Sequence, residues 1–144
     1  MKKLIALVAV TAMFAVISTV IVGKKLPSVG YVLVGPKNDG GWSMRHYHGF
    51  KSLEKHGYNV SGVEMVPESE STKVFRKLAR KHDIVFATSF GYMDGMVKAA
   101  AKDKDTIFMH ATGYKGNDSN MDNYVCHSFQ ARYLTGIAAG MLTK

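Results

Sequence analysis

Trp42 and Phe90 are the residues whose chemistry stands out, because each follows an apolar run by one short step and each has a polar neighbour, Asp39 and Ser89. Aromatic faces with hydrogen-bonding groups at their edges are the composition of a cleft for a flat, polar-edged small molecule. The glycines beside them, Gly41 in the first stretch and Gly91 in the second, let the backbone approach a ligand closely. His110 ends a further apolar run, where its ring could face a ligand or order the loop backbone. The candidate ligand-binding set is therefore Asp39, Gly41, Trp42, Ser89, Phe90, Gly91 and His110. A plainer reading competes for Trp42, which could be tucked beneath the next element.

Catalytic templates fit badly. The chain has no Gly-x-Ser-x-Gly elbow, no Gly-x-x-x-x-Gly-Lys-Ser/Thr loop and no Gly-x-Gly-x-x-Gly turn. His46 and His48, two apart on an expected helix, diverge by about 200° and do not share a metal. Cys126 is the single cysteine, so an intrachain disulfide and paired Cys-x-x-Cys zinc ligation are both excluded. In an expected strand it points away from His127, which favours a small buried apolar residue over a nucleophile. The expectation is a protein that is not an enzyme, with no cofactor and no metal.

The elements that must position these residues follow a βα rhythm. Apolar runs at Val29–Val34, Val60–Val66, Asp83–Thr88, Asp105–His110 and Tyr124–Cys126 read as strands. Between them lie helical stretches: Met44–His56, with Tyr47, Phe50 and Leu53 as its buried stripe, one opened by Pro67-Glu68-Ser69, with Val74, Leu78 and Phe75 toward the sheet, and Met96–Ala101. A last helix from Ser128 toward Met141 is expected to pack on the sheet through Gly136 and Gly140. This pattern predicts a three-layer α/β sandwich with a parallel sheet in the order 2-1-3-4-5. In such a sheet the loops Gly35–Trp42 and Ser89–Asp94 share the edge at the carboxyl ends of the strands, where ligands bind. Tyr114–Asn120, polar and glycine-containing, reads as a surface loop.

The 144 residues, 47% hydrophobic, suffice for one ordinary domain once a targeting segment is set aside. The net charge of +8 comes from residues spread along the chain without blocks or aromatic interleaving, which argues for a solvated surface and against nucleic acid as a partner. Residues 1–23 place Lys2-Lys3 before an uncharged run from Leu4 to Val22, the arrangement of a secretory signal. That run is about long enough to span a bilayer and no Ala-x-Ala site follows it, so an uncleaved anchor is the competing expectation. Either way the remainder, residues 24–144, is expected in the periplasm or on the outer face of the cytoplasmic membrane, which it touches only through the leader.

Several ordered motifs also carry a resemblance. Gly30-Tyr31-Val32, Gly35-Pro36, Asp39-Gly40-Gly41-Trp42, His46, Ala87–Asp94, His110-Ala111-Thr112-Gly113 and Arg132–Gly136 with Ala139-Gly140 resemble the basic membrane protein family of ABC-transporter substrate-binding proteins. The resemblance implies one lobe of a type I periplasmic-binding-protein fold, a purine base or nucleoside as ligand, and an ABC-transporter permease as partner. It likens Trp42 to the aromatic that stacks on the base, and Asp39 and Ser89-Phe90 to first-lobe cleft residues. Two departures accompany it: no cysteine near the leader's end for lipid attachment, and a chain that reaches Lys144 about where a crossing to a second lobe would begin. Residues 24–144 are thus expected to form the amino-terminal lobe alone, with the second lobe encoded elsewhere or lost. Competing expectations are a membrane-anchored sensor built on the same cleft and an inactive gene fragment.

Overall fold

The computed structural model describes residues 25–143, and the leader expected at residues 1–23 lies outside them. Five short strands, β1 (Val29–Val32), β2 (Val60–Val63), β3 (Ile84–Ala87), β4 (Ile107–Ala111) and β5 (Met121–Tyr124), form one sheet in the order β2-β1-β3-β4-β5. Every pairing is parallel, as the βα rhythm predicts. The helices are α1 (Trp42–Lys55), α2 (Ser71–Ala79), α3 (Met93–Lys102) and α4 (Ser128–Leu142). Single 3-10 turns, Glu68–Glu70 and Phe90–Tyr92, lead into α2 and α3.

Strand alternation divides the core in two. One face sends Val32, Val85, Ala87, Phe108 and Met121 against Phe75 and Leu78 of α2 and Met96, Ala99 and Ala100 of α3. The other sends Val29 and Leu33 against Phe50 of α1, with Tyr31, Tyr47, Leu53 and Phe86 around them. Tyr31 stacks on Phe50 with ring centroids 4.3 Å apart and planes 4° apart. The stripe expected on the first helix is present, with Phe50 buried and Tyr47 and Leu53 partly so.

Four expectations require correction. The first helix starts at Trp42 instead of Met44, because Asp39 caps it from outside. The second strand ends at Val63, and Met65 takes φ 59°, which no strand accommodates. The fifth strand runs Met121–Tyr124 and leaves Cys126 exposed instead of buried. Asn120 sets that start: its buried amide donates to the carbonyls of Ala100, Asp103 and Thr106, delivering the next residue to β4. Finally, α4 spans the expected residues but does not pack on the sheet. It has no buried residue, and nothing lies within 4 Å of a Cβ built on Gly136 or Gly140.

Candidate functional site

The order β2-β1-β3 places the switch point of the sheet between β1 and β3, where chain direction diverges and a crevice opens at the carboxyl ends. The loop after β1 is shaped by one carboxylate. Asp39 Oδ1 accepts the amides of Gly41 (2.8 Å) and Met44 (3.0 Å), and Oδ2 accepts that of Ser43 (2.9 Å). These donors at the positive end of α1, Met44 foremost, hold the Asp39 carboxyl down at about 2. With three amides and the Ser43 hydroxyl directed at it, Asp39 is first a helix cap. Gly35 closes the loop from the other side, donating its amide to the buried Ser43 hydroxyl at 3.1 Å.

Trp42 begins α1 and leans across the crevice: its indole Nε1 donates to the Thr88 carbonyl at 2.5 Å. That bond takes up the only indole donor, so the exposed part of the ring is an apolar face. His46 covers part of the ring at 4.4 Å between centroids, and 40% of the residue stays exposed.

The loop after β3 supplies Ser89, Phe90 and Gly91. Ser89 Oγ accepts the Gly91 amide and caps the turn in which Phe90 stands 56% exposed, its ring 6.1 Å from that of Tyr114. His110 lies beneath this loop, fully buried, and its Nε2 donates to the Ser89 carbonyl at 2.8 Å. Nδ1 and the Asn123 Oδ1 both lie against Gly113, and neither finds a partner among the described residues.

Asp39, Gly41, Trp42, Ser89, Phe90 and Gly91 therefore share one edge, and His110 supports that edge from below. Sequence reasoning missed the groups that hold it. Tyr92 is fully buried and donates to the Val66 carbonyl at 2.6 Å, and burial pushes its hydroxyl up to about 12. Glu68 rests its carboxylate over Gly91, where a side chain would overlap it. Lys115 reaches Asp94 at 2.6 Å and pins the Tyr114 loop to α3. The buried Tyr92 had a sequence signal, an aromatic two residues beyond Phe90. Glu68 had none, since an exposed glutamate near a helix start is ordinary.

Among the described residues no cluster of three or more His, Cys, Asp or Glu is arranged to hold a metal ion. What the edge offers is an apolar ring face and a second exposed ring.

Comparisons with known proteins bear on this arrangement. The chain is 39% identical over 121 residues to a purine-binding protein of Brucella abortus, covering 81% of the chain and 34% of that protein. It is 34% identical over 120 residues to a candidate ABC transporter glucose-binding protein of Haloferax volcanii, covering 81% of the chain and 30% of that protein. It thus spans about a third of the length of these relatives. Among solved structures, an ABC transporter solute-binding protein from Conexibacter woesei superimposes with a TM-score of 0.67 at 21% identity, over 80% of this chain and 40% of that one, which shows the shared fold. Residues 26–144 match the family model described as ABC transporter substrate-binding protein, PnrA-like, and the chain belongs to that family.

Proposed function

We propose that the chain forms the ligand-contacting wall of a solute-binding protein for ABC-type uptake, and that the solute is a purine base or nucleoside. The observation that carries this reading is the exposed Trp42 face, fixed at the sheet's switch point by its bond to Thr88. A ring locked in orientation stacks on a planar heterocycle with little loss of side-chain freedom. Phe90, 56% exposed on the loop after β3, offers a second apolar ring at the same edge. The purine-binding relative from Brucella abortus supports the ligand class.

In this reading the described residues supply one wall, and a second α/β lobe on further polypeptide supplies the other. The loaded protein delivers its ligand to a membrane permease, working in the periplasm or on the outer face of the cytoplasmic membrane. The leader directs export and is the only membrane contact.

Trp42 is the single tryptophan, so intrinsic fluorescence reports on the site directly. Titration with adenosine or guanosine should quench its emission, weakly in the chain alone and saturably once a second lobe is joined to it. No saturable change in the joined, folded protein, or a saturable response to glucose alone, would count against a purine site.

A further inference from the structure

The loop after β4 holds Tyr114, 73% exposed, beside Phe90, with ring centroids 6.1 Å apart. A tyrosine so open to water is ordinarily free to move, but the backbone around this one is tied down. Its own amide donates to Met93 Sδ, and the next carbonyl, that of Lys115, accepts from Asn123 Nδ2 at 2.9 Å. Lys115 Nζ reaches Asp94 on α3 at 2.6 Å. Thr112, two residues before the tyrosine, takes φ 64°. A β-branched residue in the left-handed region is costly and persists only where the surrounding contacts impose it. The turn is therefore strained in the conformation that delivers Tyr114 to the ligand edge.

This pair differs in kind from the Trp42 face. Its rings are tilted 46° to each other, so a flat heterocycle lies flush against only one of them. A puckered sugar ring carries C–H groups on both faces and can touch both, and its hydroxyls need an acceptor close by. Asp94 supplies one: its side chain is 70% exposed, and Lys115 bonds to Oδ1, leaving Oδ2 without a partner among the described residues. The bond and charge of Lys115 hold this carboxyl below its ordinary value, so it is an ionised acceptor at neutral pH. The placement suits one ligand spanning both features. β1, β3 and β4 are consecutive in the sheet, so at about 4.8 Å per spacing the strands that lead to Trp42, Phe90 and Tyr114 end within roughly 10 Å of one another.

We propose that Phe90 and Tyr114 form a platform for a sugar ring whose hydroxyls Asp94 accepts, so that a nucleoside lies with its base on Trp42 and its sugar on this pair. The inference rests on the purine reading of Trp42 and narrows it: Tyr114 sets a preference for nucleosides over free bases.

The test is calorimetric titration of adenine and of adenosine into the full chain joined to a second lobe from its Brucella abortus relative, with and without substitution of Tyr114. The parent should bind adenosine more tightly than adenine. Tyr114→Ala, at an exposed position that leaves the backbone bonds of the loop in place, should weaken adenosine roughly two- to twelvefold, the scale of one aromatic contact, and leave adenine unchanged. Tyr114→Phe should retain most of the adenosine affinity. A Tyr114→Ala variant that weakens both ligands equally, or neither, overturns the sugar platform and leaves the purine reading standing. A folded joined protein that binds neither ligand overturns the purine reading, and this proposal with it.

Discussion

The indole of Trp42 and the carbonyl of Thr88 are joined across 46 residues of sequence by a 2.5 Å hydrogen bond, which ties the loop after β1 to the end of β3. The ring proposed to stack on the ligand is therefore also a structural strut between the two loops. Replacement by phenylalanine should separate these roles: the variant keeps an aromatic face but loses about 0.5–1.5 kcal/mol of stability with the bond. Trp42→Ala should lose the face too, weakening purine binding by about 1–3 kcal/mol, or roughly five- to 150-fold. Denaturant unfolding and ligand titration on both variants check the split.

Asp39 should make the fold acid-sensitive. Its carboxyl is held at about 2 instead of the ordinary 3.8 by the Met44, Gly41 and Ser43 amides. A group whose folded value is depressed stabilises the protein above its unfolded value, and that contribution disappears as pH falls through the folded value. The window is thus from about 4 down to about 2. Asp39→Ala should lower the melting temperature at neutral pH and flatten the melting curve's dependence on pH within that window. A variant as acid-sensitive as the parent would show that another carboxylate carries the effect.

Much of the architecture was legible because each strand is a short apolar run in a βα alternation, which specifies a parallel sheet and puts the Asp39 and Ser89 loops on one edge. Phe50, Phe75 and Leu78 followed from helical spacing. The misplaced fifth strand was hidden by Asp122 and Asn123, polar residues within β5 held there by Asn120's three carbonyl contacts, a tertiary cause with no local signal. The lack of packing by α4 was likewise invisible, since an apolar helix reads the same whether or not its cover is present. At the site, residue types announced Trp42 and Phe90, whereas the Thr88 bond and the burial of His110 depend on side-chain direction.

Gly113 should not tolerate a side chain. A Cβ there would overlap His110 Nδ1 and Asn123 Oδ1. Gly113→Ala should therefore push the His110 ring from the Ser89 carbonyl and lower stability by about 1–3 kcal/mol. Denaturant unfolding measures the loss, and loosening of the Ser89 loop should show as faster exchange of the Gly91 amide, which Ser89 Oγ accepts. Unchanged stability would mean the ring shifts freely and does not brace that loop.

Removing the Tyr92 hydroxyl tests the floor of the crevice. Tyr92→Phe keeps the buried ring against Phe75, 5.7 Å away between centroids, but leaves the Val66 carbonyl without its donor. Stability should fall by about 1 kcal/mol, read from the denaturant midpoint at constant slope.

Calorimetric titration of adenosine, guanosine, adenine, hypoxanthine and glucose tests the central claim most directly, carried out on the chain alone and on the chain joined to the remaining two thirds of its Brucella abortus relative. The account predicts saturable purine binding by the joined protein, its loss in Trp42→Ala, no glucose binding, and much weaker purine binding by the chain alone, which presents one wall to water. A folded joined protein that binds no purine, or that binds glucose in preference, would contradict the ligand assignment, and equal affinity of the chain alone would contradict the need for a second wall.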